Sequence, residues 1–158
     1  MPDDVRIAIE PPDQTETETL LEQLDDYLKA LYPPQSNHIL DVAALKSPEI
    51  RFFVARTKAV AVGCGALRLD ADGYGEIKRM YVSPAARGLG LGKKLLVAIE
   101  AEARRQRLHT LRLETGIHQP EALGLYTSAG YRETGAFGDY PVGDPVSRFF
   151  AKRLVSAG

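Results

Sequence analysis

The run Glu76-Ile77-Lys78-Arg79-Met80-Tyr81-Val82-Ser83-Pro84-Ala85-Ala86-Arg87-Gly88-Leu89-Gly90-Leu91-Gly92-Lys93-Lys94-Leu95-Leu96 reads as a strand, a tight turn and the start of a helix. Residues 76–82 carry Ile, Met, Tyr and Val, side chains that suit a half-buried pleated surface. Ser83-Pro84 ends the strand, because proline has no N–H for a ladder and pushes the residue before it toward an extended or turn conformation. Gly88, Gly90 and Gly92 let the backbone turn sharply and approach another group with no Cβ in the way. Beyond them Leu91, Leu95, Ile99 and Ala103 recur at i+4, with Leu96 beside them, which makes one apolar face of a long helix.

A glycine turn that opens a helix is a ready anion site. The first N–H groups of the helix have no partner within it, and the helix dipole places partial positive charge at that end. Arg87, Lys93 and Lys94 add full positive charges there, which oppose the dipole and are a poor choice for helix stability alone. The plain reading is a solvated basic helix start; the sharper one is a cradle for a phosphate-bearing ligand. Two nucleotide motifs fail at this site. The P-loop would need Gly where Arg87 stands and a hydroxyl where Lys94 stands, and the dinucleotide fingerprint would need Gly at Lys93. What fits is R-x-x-G-x-G, read as Arg87, Gly90 and Gly92.

With a strand ending in Val-Ser-Pro ahead of it and a long helix behind, this run resembles the pyrophosphate-binding signature of the GNAT N-acetyltransferase superfamily. The resemblance continues C-terminally in Gln119, Ala122, Leu125-Tyr126 and Gly130-Tyr131, so it covers residues from about Gly65 to Tyr131. Gln119 stands where that superfamily usually has Asn. Its amide offers the same donor and acceptor one methylene further out. The N-terminal 50 residues carry no specific match, and the Leu-Tyr-Pro…Ser-Asn-His segment and the later Phe-Gly-Asp-Tyr loop are similar to those of a bacterial small-molecule acetyltransferase subgroup.

The whole chain narrows the choice further. Its 158 residues suit one domain, 1–158, with a sizeable core. A hydrophobic fraction of 44% with mixed charges indicates a globular chain, and the net charge of −1 gives no basic field to draw in nucleic acid. No apolar run approaches the roughly 20 residues of a membrane helix. The Met-Pro-Asp-Asp start lacks the basic and apolar regions of a secretion signal. One cysteine, Cys64, cannot form an internal disulfide, so a reducing, cytoplasmic setting is expected. Cys64 lies in an apolar strand-like run and reads as core packing rather than a nucleophile, since His38, His109 and His118 all lie far off in sequence.

In chain order, Val5 to Glu10 alternates as a short strand, and Leu20, Leu21, Leu24, Tyr27, Leu28 and Leu31 form a helical stripe over 15–31 that Tyr32-Pro33-Pro34 stops. Ser36 to Leu45 predicts a short second helix. Together these helices could wall an acceptor pocket, with His38 as a possible contact or a solvated loop residue. Two strands, 51–56 and 58–70, precede the Glu76 strand as an antiparallel meander. After the long helix, 108–115 predicts a strand parallel to the Glu76 strand through a helical crossover. A helix over 119–129 capped by Gly130, strands at 131–134 and 146–154, and a Gly/Pro/Asp-rich loop over 135–145 holding Phe137 and Tyr140 complete the pattern. The expected class is α/β of the α+β kind: a GNAT fold with a mixed, mostly antiparallel sheet of six or seven strands, one splayed parallel pair and four flanking helices.

The resemblance implies acetyl-coenzyme A as cosubstrate, no metal, and a small-molecule amine as acceptor, with neither nucleic acid nor membrane as partner and a monomer or homodimer as the working form. Backbone N–H groups of Gly88, Leu89, Gly90, Leu91 and Gly92, with the Arg87 and Lys93 side chains, would hold the pyrophosphate. Main-chain groups of Met80, Tyr81 and Val82 would pair with the pantetheine arm as an added strand, which requires the parallel strands to splay after Val82. Gln119 would also contact the cofactor. Tyr126 matches the superfamily's tyrosine, implying a general acid for the departing thiolate; packing of its helix on the sheet is the plainer role. An alkylamine with a pKa near ~10 needs a base or a desolvating pocket. Glu76 is the candidate base, with Glu114 or water as the alternative; Glu76 could equally be a strand-start carboxylate facing Lys78 or Arg79. From a different class comes a catalytically silent CoA-binding sensor of the same fold. The acceptor's identity, the length of the acyl group and the oligomeric state stay open.

Overall fold

The computed structural model describes residues 4–37 and 39–154. Its centre is a seven-stranded sheet in the order β1-β2-β3-β4-β5-β7-β6, where β1 is Val5–Ile9, β2 Ile50–Thr57, β3 Val60–Leu69, β4 Tyr74–Val82, β5 Thr110–Gly116, β6 Arg132–Thr134 and β7 Ser147–Arg153. The helices are α1 (Thr15–Leu31), α2 (Val42–Leu45), α3 (Leu91–Arg105) and α4 (Pro120–Ser128). Among the described residues only β4 and β5 pair in parallel; the other neighbours are antiparallel. The α3 crossover supplies the length that a parallel connection needs. The mixed sheet, the single parallel pair and the helix count are those the sequence predicts.

Two cores lie on opposite faces of the sheet. The larger joins Leu95, Leu96, Ile99 and Ala103 of α3 to Phe53, Leu67, Ile77, Leu111, Leu113 and Phe150. The smaller joins Leu20 and Leu21 of α1 to Leu45 of α2 and to Phe52, Val54, Cys64 and Ala66. Alternation along each strand sends neighbours to opposite faces, so one strand feeds both cores. Cys64 is fully buried, and its thiol donates to the Arg79 carbonyl at 3.4 Å, as a packing sulfur would. The aromatic loop between β6 and β7 covers the α1 face where α1 does not reach: Phe137 and Tyr140 stack edge-on with Tyr74 and Phe149 at centroid distances of 5.1–5.8 Å.

Two expectations need correcting. The segment 36–45 is not one helix. A 3-10 turn is found at Pro34–Ser36, and of the segment's described residues only Val42–Leu45 is α-helical, started where Asp41 Oδ1 accepts from the Ala44 N–H at 2.8 Å. His38 lies outside the described residues. The parallel pair also separates earlier than expected. Pairing runs from Tyr74↔Thr110 to Ile77↔Leu113 and stops there, well before Val82. A bulge explains this: between Cys64↔Tyr81 and Ala66↔Lys78 the β4 strand carries one residue more than β3, and Arg79 takes a left-handed φ of 59°. An extra residue bends its strand and increases local twist, which swings the C-terminal end of β4 away from β5.

Candidate functional site

The splay opens a cleft of about 440 Å³ between the diverging ends of β4 and β5. One half lies under the glycine turn. Beyond Ile77, β4 stays paired to β3 on one side but among the described residues has no strand on the other, so its main-chain groups from Lys78 to Val82 form an open edge. Met80 and Val82 turn their side chains to the α3 core, while the Tyr81 hydroxyl donates to Gln23 Oε1 of α1 at 3.2 Å. All three residues line the cleft.

A 3-10 turn at Pro84–Ala86 leads into Arg87 and the glycines. Gly88 and Gly90 have φ of 90° and 71°, a left-handed conformation that costs an ordinary residue about 1–2 kcal/mol, and a Cβ on either would meet nothing within 4 Å. These two glycines are there for backbone shape. Gly92 differs: a Cβ on it would come 3.1 Å from Leu125, so its smallness seats the first turn of α3 against α4. Gly90 is the N-cap of α3, and no side chain among the described residues caps that end, which leaves its first N–H groups to water or a ligand. Arg87 and Lys93 line the cleft beside them, and among the described residues neither they nor Lys94 belong to an ion pair. Leu91 is buried and lines the cleft; Leu89 is exposed and does not. The arrangement is a positively charged, amide-rich end joined to an unpaired strand edge.

Tyr126 and Gln119 close this half from α4. Tyr126 is 5% exposed, lines the cleft and packs edge-on against Tyr131 at 5.8 Å. Burial and the nearby Glu114 charge push its phenol well above the ordinary tyrosine range, so it keeps its proton at neutral pH. Among the described residues its hydroxyl has no hydrogen-bond partner. Gln119 acts as a latch rather than an open amide: its Oε1 accepts from the Gly116 N–H at 3.2 Å and from the Tyr32 hydroxyl at 3.1 Å. Tyr32, beyond the end of α1, also accepts from the His118 N–H at 3.1 Å and stacks on the His118 ring at 5.6 Å. A Cβ at Gly116 would lie 1.8 Å from the Tyr32 hydroxyl, so glycine there admits the tyrosine.

The other half of the cleft lies on the α1 face. Its floor is Lys78 and Arg79 of β4 and Glu114 of β5; one wall is Tyr27, Leu28 and Tyr32, the other Tyr140. Glu76 is not among the lining residues. It is 3% exposed and lies behind Tyr140, whose hydroxyl donates to Glu76 Oε2, while Arg68 donates to Oε1 through Nε at 3.2 Å and Nη2 at 3.0 Å. Lys78 Nζ donates to the Tyr140 oxygen at 2.6 Å and stands 3.5 Å from Glu76 Oε2. Glu114 reaches the cleft itself, with Oε2 accepting from the Ser147 hydroxyl at 2.8 Å. Arg79 is pinned to Asp25 Oδ1 at 2.6 Å and to the Leu21 carbonyl at 3.2 Å. The structure thus gathers the sequence-predicted residues into one cleft, apart from Leu89 and Glu76. It adds Tyr32, Lys78 and Tyr140, for which the only signals were an aromatic beside Pro-Pro, a basic pair on a strand, and an aromatic in a glycine-rich loop.

Comparison with known proteins agrees with this fold. A model of the acetyltransferase (GNAT) family matches residues 16–131. IAA acetyltransferase of Azospirillum brasilense is 49% identical over 151 residues, spanning 95% of this chain and 98% of that protein. A crystal structure of an inferred acyl-CoA N-acyltransferase from Klebsiella pneumoniae shares 40% identity and superposes with a TM-score of 0.80, over 96% of this chain and 98% of that one. An acetyltransferase-like structure from Salmonella typhimurium, solved with acetyl-CoA, superposes at 0.74 with 18% identity over 98% and 96% of the two chains, a likeness of fold. No helix among the described residues is long and apolar enough to cross a membrane.

Proposed function

The chain belongs to the GNAT acetyltransferase family and is an acyltransferase; from that premise we propose that it moves an acetyl group from acetyl-CoA directly to the amine of a small molecule. The observation that carries this reading is the meeting of two unsatisfied main-chain surfaces, the uncapped start of α3 and the open edge of β4, in one cleft with Tyr126. The first suits a diphosphate and the second suits an amide-bearing arm laid down like an extra strand. Bound there, the cofactor supplies an activated thioester.

The chain's own residues do the rest. Amides of the β4 edge near Met80 and Tyr81 face the carbonyl and stabilise its oxyanion as the amine nitrogen forms its bond to carbon. Glu114, directly or through a water, accepts the amine proton, because it lines the cleft where Glu76 does not. As the carbon–sulfur bond breaks, the electron pair stays on sulfur and Tyr126, neutral at working pH, gives it a proton. The test is an amine panel, run alongside IAA, which the name of the Azospirillum relative mentions, assayed for acetyl-CoA-dependent release of free thiol. Turnover of an amine is the expected result. Cofactor binding without turnover of any compound would overturn it in favour of a silent CoA-binding module.

A further inference from the structure

The acceptor half of the cleft carries charges that an amine alone does not need. Ile77 and Leu113 are the last paired residues of the parallel strands, and both face the α3 core. The next residue of each strand, Lys78 and Glu114, therefore turns to the opposite face, and both line the cleft. Paired strands lie about 4.8 Å apart and these are just beginning to diverge, so one cation and one carboxylate sit within the span of a single small molecule.

Arg79 is the other cation on the floor, but its guanidinium is turned into α1 and held by Asp25 and the Leu21 carbonyl. Lys78 is different. An ammonium has three donors. One goes to Tyr140 and a second points at Glu76, with the side chain 13% exposed, so a third remains for the cleft. Those two contacts also fix the ammonium in place, which lowers the ordering cost of binding an anion. Around this pair the walls are Tyr27, Leu28, Tyr32 and Ile39, an apolar and aromatic lining.

Resting on the acetyltransferase reading, we infer that the acceptor is an amino acid with an apolar side chain: its amine is directed to Glu114, its carboxylate is bound by Lys78, and its side chain lies against Tyr27, Leu28, Tyr32 and Ile39. Lys78 is then the specificity-determining residue, a role neither family membership nor the cofactor cleft assigns. The test compares matched acceptors that differ only in the carboxylate, phenylalanine with phenethylamine and leucine with isoamylamine, by kcat/KM in the wild-type protein. The amino acid of each pair is expected to win by about 10- to 100-fold, the size of one charge-assisted hydrogen bond. In Lys78→Gln that ratio collapses toward one, chiefly through KM, while Lys78→Arg retains most of it. Turnover of both members with equal efficiency in the wild type would overturn this inference and leave the acetyltransferase reading standing. A ratio unchanged in a folded Lys78→Gln protein would likewise remove Lys78 from recognition. No turnover of any amine, with acetyl-CoA still bound, would instead sink the reading on which the inference rests.

Discussion

The two halves of the cleft are built on different principles. The half beneath the glycine turn is made mostly of main chain: an uncapped helix start, two left-handed glycines and a strand edge, all within residues 78–93. The other half, proposed for the acceptor, is made of side chains brought from α1, β4, β5 and the 135–145 loop. Main chain is the same whatever the side chains are, so the first half suits a ligand that never changes. The second can be altered one side chain at a time. On the proposed mechanism the chemistry falls at the seam, where Tyr126 and Glu114 stand close enough for the Glu114 charge to raise the proton affinity of Tyr126.

Variants at the seam and on each side sharpen this division. The largest effect is expected at Tyr126→Phe, with kcat falling about 100- to 10,000-fold, the range for removal of a positioned acid, while acetyl-CoA affinity by calorimetry stays nearly constant. Unchanged kcat would take the proton-donor role from Tyr126. Next comes Gly90→Val, which forces a β-branched residue to φ of 71° and should weaken acetyl-CoA binding about 10- to 100-fold. Equal affinity would show that the helix start is not the anion site.

On the acceptor side, Gly116→Ala should lower unfolding free energy by about 1–2 kcal/mol and raise the acceptor KM more than the acetyl-CoA KM, because the new methyl drives Tyr32 off its latch to Gln119. Parallel rises in both constants would mean that the latch serves the two halves alike. The smallest effect is electrostatic. Arg56 clasps Glu10, at 2.8 Å, and Glu16 of α1, tying the first strand and helix to β2. The hydrogen bond from Arg56 holds the Glu10 carboxyl below its usual range. A depressed carboxylate stabilises the fold above its unfolded value of about 4.3, and that contribution disappears as pH falls through the lower folded value. Glu10→Gln should therefore cost about 0.5 kcal/mol at pH 7 and less near pH 3, as read by urea denaturation at both pH values. An equal cost at both would assign the effect to packing.

The same division explains what the amino-acid sequence could disclose. The glycine turn was legible because its causes are local: a proline that stops a strand, glycines that permit positive φ, and an i+4 stripe behind them. Strand order up to β4 and the parallel crossover followed from periodicity and connection length. The acceptor half was not legible, since its contacts join distant residues: Lys78 meets Tyr140 62 positions away and Tyr32 meets Gln119 87 positions away. Glu76 was visible as a carboxylate on the right strand, but nothing near it announces that Tyr140 folds over it. The bulge was equally hidden, because Arg79 is neither glycine nor asparagine, the usual marks of a left-handed residue. Without it the splay is placed too late.

That bulge has an effect beyond the opening it creates. A strand's side chains keep time with a beat of two, and Arg79 inserts an extra half-beat in β4. Upstream, Ile77 addresses the α3 side; downstream, Met80 and Val82 do, an odd number of residues later. Excising one residue between 78 and 80 would restore an unbroken rhythm and leave Met80 and Val82 on the α3 side, but it would remove the added twist that parts β4 from β5. A chain shortened there would keep its packing and lose its opening.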